Sequence, residues 1–395
     1  MASIGSARAI IERLDVLKSQ LITEDQDAKK EALMLSRKLT VTLNEPANTA
    51  VELAFSPFIP MSAKIAVDLK LFDHIVAKNG PITAIELATL SGAKELLIVR
   101  VLRPLAASGV LNEVDNQTWT STPVCQAMAT PEIAAGHRMI FELILQAAWK
   151  APQYLRETNY RCPENPTDGL VQYAFQTKLE TFKLLASKPE LQTDFNTFMG
   201  NTMGARNYWV DWYPVQKQIL DDVSLGSKSP VIVDVGAGKG HDLTAFNAKF
   251  PGHKLVLQDL QSVIDNVLDL DGSIETMAYD FFTEQPLKGA RVYFYHHILH
   301  DWSDYKCLEI LSGLRSAMKP GYSLLLLHEM IIPETGASDF HAMLDLTMMA
   351  FNSGMERTGK QFRTLLDTAG FQVVNIWVPE GARDADGVVE AVVKV

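Results

Sequence analysis

The sequence predicts an α/β fold: a Rossmann-like domain built on a mostly parallel sheet, preceded by an all-helical and winged-helix module. Three observations predict it. Val231 to Val235 is a short, mostly β-branched run without polar alternation, as expected of a strand covered on both faces. It runs into Gly236, Gly238 and Gly240, a turn without Cβ atoms through which backbone can approach a ligand closely. His241 to Phe250 then has helical character, so its first free N–H groups face that ligand, and strand, glycine turn and helix open a nucleotide-binding unit.

From the beginning of the chain, Ser6 to about Leu43 carries Ile10, Leu14, Leu17, Leu21, Leu35 and Leu39 at helical spacing. These amphipathic helices are too few to enclose a core of their own. Val51 to His74 reads as a long apolar helix that Pro57 should break or kink. Thr83, with Glu86 three residues on, caps a helix closed by Gly92. A second helix covers Glu95 to Ser108, and a hairpin turns through Asp115-Asn-Gln into Thr118-Trp-Thr-Ser. Helix, turn, helix and hairpin make a winged helix. Read as a DNA module it lacks a basic recognition helix, since Arg100 and Arg103 stand beside Glu95. A dimerisation module is the better reading. Ile133 to Trp149 is a further helix, Tyr160 to Asp168 a proline-containing loop, and Phe195 to Tyr213 a stretch rich in Phe, Trp and Met, Met203 among them. His137, alone on its apolar helix, reads more readily as a buried, satisfied histidine than as a catalyst.

At 395 residues the chain is long for one core, and the natural division is residues 1–122 followed by residues 123–395. A hydrophobic content of 47% with 21% charged residues is that of an ordinary globular protein. No uninterrupted apolar run approaches a membrane span, and the N-terminus has no apolar signal core, which points to a cytoplasmic protein with no membrane partner. Cys125, Cys162 and Cys307 are far apart and odd in number, which suits a reducing compartment. A net charge of −11 argues against nucleic acid as a partner.

Beyond the glycines, Lys254 to Asp259 reads as a second strand ending in an acid, where ribose hydroxyls are commonly held. Tyr279-Asp280-Phe281-Phe282 adds a third acid after another short segment, and Arg291 to Tyr295 is a strand leading into His296-His-Ile-Leu-His-Asp-Trp-Ser-Asp304. VDVGAGKG, the Asp259 strand end, the Asp280-Phe281 pair and above all HDWSD resemble the S-adenosylmethionine (SAM)-dependent O-methyltransferases of plant and fungal secondary metabolism, the caffeic-acid type with an N-terminal dimerisation domain. The resemblance covers about Pro46 to the C-terminus. It implies a homodimer that binds SAM as cofactor and a small, hydrophobic acceptor molecule. It also implies that His300 is the general base, flanked by Glu329 and Glu356. The methionine end of SAM falls to Asp234, Gly236 and Gly238, the ribose to Asp259 with Leu260, and the adenine to Asp280 and Phe281. His296 departs from the pattern, standing where a basic residue, often Lys, lies near the cofactor.

This chemistry agrees with the residue types. Methyl transfer from a sulfonium is an in-line displacement that needs the two reactants held in contact. A protonated phenol is a poor nucleophile, and histidine supplies a base near neutral pKa. Asp301, Trp302, Ser303 and Asp304 read alternatively as caps of the helix Lys306 to Met318. The acceptor wall should come from His137, Phe141, Trp149, Met199, Trp209, Met343, Met349 and Asn352, which suits a flat, largely apolar molecule. No metal-ligand spacing is present in the sequence. Two competing functions remain: a methyltransferase-like cyclase that binds SAM without transferring methyl, served by His137, His296 and His297, and a transcriptional regulator built on the winged helix.

Overall fold

The computed structural model describes residues 4–202, 208–223, 229–267, 270–379 and 385–394. Met203 of the aromatic stretch lies outside them. The chain divides into compact units at Ala129/Thr130, later than the division at 122 read from the sequence. The reason is local: Thr122 caps the helix Pro123–Met128 and its hydroxyl donates to Val110 O at 2.6 Å, tying that helix to the first unit.

In the first unit the helices Ile4–Ile22 and Gln26–Leu43 form a hairpin joined by the Arg13–Glu31 ion pair. Helix Pro46–Phe55 ends before Pro57 and helix Phe58–Asp68 begins after it, the break that proline imposes. Helices Leu71–Lys78, Ala84–Ser91 and Glu95–Ala107 surround a small sheet of β1 (Ile82–Thr83), β2 (Leu111–Asp115) and β3 (Thr118–Ser121), in the order β1-β3-β2. Thr83 and Glu86 form the reciprocal capping box expected of them. Pro46–Asp68, 23 residues with mean hydropathy 1.3, is long and apolar enough to cross a membrane by length and composition alone, although no uninterrupted apolar run of that length is present. Its inward side is ordinary core, with Ala63, Ala66 and Val67 buried, whereas Val51, Leu53, Phe55 and Phe58 are exposed.

The second unit opens with helix Pro131–Met139, a π-helical turn at Ile140–Ile144 and helix Leu145–Glu157. The sequence reads this stretch as one regular helix. The π turn, a feature frequent at functional sites, carries no signature in hydrophobic period. The sheet that follows contains β4 (Ile232–Val235), β5 (Leu255–Asp259), β6 (Ile274–Ala278), β7 (Val292–His296), β8 (Leu324–Ile332), β10 (Phe371–Trp377) and β11 (Asp386–Val393), with the short β9 (Arg357–Thr358) beside the end of β8. The order is β10-β11-β8-β7-β4-β5-β6, parallel from β8 to β6 and antiparallel from β8 outward through β11 and β10.

Side-chain alternation along β7 builds two cores. Tyr293 and Tyr295 bury on one face with Trp302, Leu325 and Leu327, while Val292 and Phe294 bury on the other with Trp209, Phe246 and Leu326. Each large apolar side chain so buried contributes about 1.5–3 kcal/mol relative to exposure. Chain order reverses between β4 and β7, the place where open α/β sheets take their ligands at the carboxyl ends of the strands.

Candidate functional site

Register brings the strand ends together. Val235 pairs with Gln258 and Tyr295, and His296 pairs with His328. Beyond this edge lie the glycine turn, the ends of β5 and β7, and the 3-10 turn Leu299–Asp301 that carries His300. Gly236, Gly238 and Gly240 all have positive φ, the left-handed region that favours glycine. At Gly236 a Cβ would stand 2.5 Å from Ile298 Cδ1 and 3.8 Å from Phe281; at Gly238 nothing stands within 4 Å. The glycine turn therefore packs against the segment leading to His300, and open space lies at Gly238.

Asp259 accepts from the N–H of Gly238 at 2.8 Å and of Leu260 at 2.7 Å, which partly offsets the upward push of its burial. Leu260 itself is half exposed, and Asp280 is exposed and folded into a turn that accepts from the Phe282 N–H. Phe281 lies edge-on to Trp302. Asp234 is buried, and its Oδ1 has no hydrogen-bond partner among the described residues. Burial, with Asp242 and Asp259 nearby, holds its carboxyl well above the usual range.

His296 ends β7 with Nδ1 2.7 Å from Asp242 Oδ2. An ionised carboxylate only accepts, so Nδ1 carries the proton, and Nε2 has no partner among the described residues. The fold thus gathers unspent polar atoms at one edge: Asp234 Oδ1, Asp242 Oδ1 and His296 Nε2. That donor and acceptor set, around a glycine cradle, fits a ligand with a ribose and an amino-acid end. It also assembles cation-binding groups that no sequence spacing reveals, since Asp242, His296 and His328 offer ligand atoms within 4.8 Å of one another, as do His296, His297 and Asp386.

His300 is buried, with Nδ1 2.8 Å from Glu356 Oε1 and Nε2 3.7 Å from Asp301 Oδ1. The ring partner is therefore Glu356. Glu329, expected beside the imidazole in the same manner, instead accepts the N–H groups of Ile298 at 3.2 Å and Leu299 at 2.8 Å and so fixes the turn from below. Burial alone would push His300 down; the charge of Asp301, the hydrogen bond to Glu356 and the charges of Glu329 and Glu356 outweigh it and lift the ring to about 10. Burial raises Glu329 to about 7 and Asp301 to about 6. His297, whose ring centroid lies 4.8 Å from that of His300, is pushed by burial down to about 4 and so is neutral. His297 also leaves β7 with φ +52, a strained conformation for a non-glycine residue that turns the chain into the His300 turn. Ser303 occupies the cap position of helix Asp304–Arg315 without a capping bond, because its hydroxyl donates to Glu164 O at 2.7 Å.

The acceptor wall is partly corrected. Trp209 is a core residue on the sheet face away from His300, stacked on Phe294 at 4.8 Å and on Phe246 at 6.1 Å. Trp149 and Met343 are surface residues, 76% and 60% exposed. A sequence lists apolar residues but not which way their helices are turned. Met199 and Met349 do pack together with Phe195, Phe198 and Phe351. Phe141 is half-buried in the π turn, and burial lowers the pKa of His137 on the preceding helix. Asn352 is buried against the His300 turn, its Nδ2 donating to Asp301 O at 3.2 Å. Asp242, His328, Asp301 and Arg357 also belong to this region. Of these only Asp301 had a sequence signal, its place next to His300.

A glycine cradle at the carboxyl edge, acids at the ends of β4 and β5 and a carboxylate-paired histidine beyond β7 define a SAM-dependent methyltransferase. The chain belongs to the O-methyltransferase family: residues 170–372 match the O-methyltransferase domain and residues 51–131 the O-methyltransferase dimerisation domain. It is 48% identical over 386 residues to the O-methyltransferase penC of Penicillium thymicola, covering 97% of this chain and 96% of that protein. Among solved structures it is similar to LepI in complex with SAM, with a TM-score of 0.87 and 27% identity over 99% of this chain and 100% of that one. A protein described as a pericyclic reaction enzyme is similar to the same degree, with a TM-score of 0.86, 27% identity, and 98% and 100% covered. The chain is a SAM-dependent O-methyltransferase of secondary metabolism.

Proposed function

We propose that His300 is the general base that takes the proton of an acceptor hydroxyl, with Glu356 orienting its ring. The observation that carries this is the 2.8 Å bond between His300 Nδ1 and Glu356 Oε1, which leaves Nε2 for the acceptor. SAM, when bound, supplies an electrophilic methyl group on a sulfonium. Glu356 keeps the proton on Nδ1 and stabilises the imidazolium formed when Nε2 takes the hydroxyl proton. Asp234, Asp259 and His296, with the Gly236–Gly238 backbone, hold SAM; Asp280 and Phe281 frame its adenine. Phe141, Met199, Met349, Asn352 and His137 face a flat, largely apolar acceptor. No metal is needed for these steps.

A second reading has support in the likeness to the pericyclic reaction enzyme: SAM bound as a cation while the acceptor cyclises. One reaction separates the two. S-adenosylhomocysteine is expected to accumulate mole for mole with product; an isomeric or dehydrated product formed without it would reject methyl transfer.

The chain carries an O-methyltransferase dimerisation domain, and the working form we infer is a cytosolic homodimer. The exposed Val51, Leu53, Phe55 and Phe58 support a partner surface there. Removing the residues before Pro46 should yield monomer or aggregate. A full-length protein that scatters light as a monomer at micromolar concentration would refute the dimer.

A further inference from the structure

The backbone carbonyls of the His300 turn are all bonded by one short segment. Leu299 O accepts from Arg357 Nη1 at 2.8 Å, His300 O from the Met355 N–H at 2.9 Å, Asp301 O from Asn352 Nδ2 at 3.2 Å and Trp302 O from Arg357 Nη2 at 2.8 Å. Arg357 is 1% exposed and is further held by Asp304 Oδ1, which accepts from Nε at 3.0 Å and from Nη2 at 2.9 Å. The segment lies so close that a Cβ on Gly354 would stand 2.1 Å from His300 O and 2.6 Å from the Asp301 carbonyl carbon. The same segment carries Glu356, the partner of the His300 ring.

We infer that Arg357 is the positioning residue of the active site: its guanidinium grips the carbonyls on both sides of His300 and sets the height of the ring over the acceptor. The inference rests on the reading of His300 as base. A guanidinium suits this task because its rigid fork bonds separate acceptors at once. Burying that charge is costly unless every N–H is used, so its cost is justified only by a geometry worth holding. A lysine keeps the charge and loses the fork. Arg357 and Glu356 are adjacent in the chain, so one backbone segment fixes both the turn that carries the imidazole and the carboxylate that orients it.

The test is a cycle of single and double variants in the full-length enzyme, with kcat, KM and SAM affinity measured for each. Arg357→Lys is expected to lower kcat on the order of a hundredfold, the scale of a misplaced catalytic group, with SAM affinity by calorimetry unchanged. In the His300→Ala background the same substitution is expected to cost nothing further in kcat, because the group it positions is gone. Wild-type kcat in Arg357→Lys, or a loss that multiplies with that of His300→Ala, would overturn the inference. His300→Ala alone reads the base assignment separately: full activity there would sink that assignment and this inference with it. Should Arg357→Lys fail to fold, Gly354→Ala disturbs the same turn through the neighbouring carbonyls of His300 and Asp301. It should lower kcat without changing SAM affinity, and unchanged kcat there also overturns the inference.

Discussion

His300→Ala is expected to leave SAM affinity nearly unchanged while kcat/KM falls by roughly 10² to 10⁴, the usual scale for a positioned base. The loss should shrink as pH rises towards the pKa of the acceptor hydroxyl, which then ionises without help. In the native enzyme only the neutral imidazole can take a proton. Because Asp301, Glu356 and Glu329 lift His300 to about 10 against the pull of burial, the unliganded ring is an imidazolium at neutral pH. The rate should therefore increase with pH through the neutral range and level off on the alkaline side. A cation bound beside the ring would lower its pKa and bring that limb towards neutrality. Glu356→Gln removes an acceptor and a negative charge, so the limb should move to lower pH even as the maximal rate drops. His297, which burial holds neutral, adds no limb of its own in this range. A pH profile that is flat from neutral to alkaline, or a Glu356→Gln limb displaced upward, would reject the assignment of roles.

Gly236→Val is expected to abolish detectable SAM binding in calorimetry while the protein still melts cooperatively. The residue sits at φ +73, where a β-branched side chain is strained by an amount on the order of 1–3 kcal/mol. Its new side chain would also enter the space of Ile298 Cδ1, 2.5 Å from where Cβ must stand. Sequence reasoning gives the close approach of backbone to ligand as the reason for this glycine. The structure adds another: the glycine turn leans on Ile298, just ahead of the His300 turn, so the two turns share one contact. Gly236→Ala with Ile298→Ala relieves the steric part only and should recover part of the affinity. SAM affinity unchanged in Gly236→Val would remove the glycine turn from the cofactor site.

Arg357 shows where legibility ends. In the sequence it is one arginine after Glu356, with no periodicity or motif to distinguish it from a surface charge. Its role exists only because residues far apart in the chain fold onto the same turn.

The α/β class and the glycine turn were legible in the sequence, and HDWSD singled out His300 as the candidate base, because each is a local matter. A strand covered on both faces must be uninterruptedly apolar, a turn at positive φ favours glycine, and HDWSD is contiguous. The capping box at Thr83 and the break at Pro57 were legible for the same reason. Tertiary structure alone decided which carboxylate holds the imidazole. It brought Glu356 to the ring and turned Glu329 to the backbone, a choice set by how β9 and β8 meet the His300 turn. It also sent Trp209 to the far face of the sheet and Trp149 and Met343 to the surface, because the rotation of a helix or short turn against its neighbours is fixed by packing between distant segments. The histidines and aspartates at the strand ends came together in the same way: parallel register set His296 beside His328, a pairing that depends on the whole sheet.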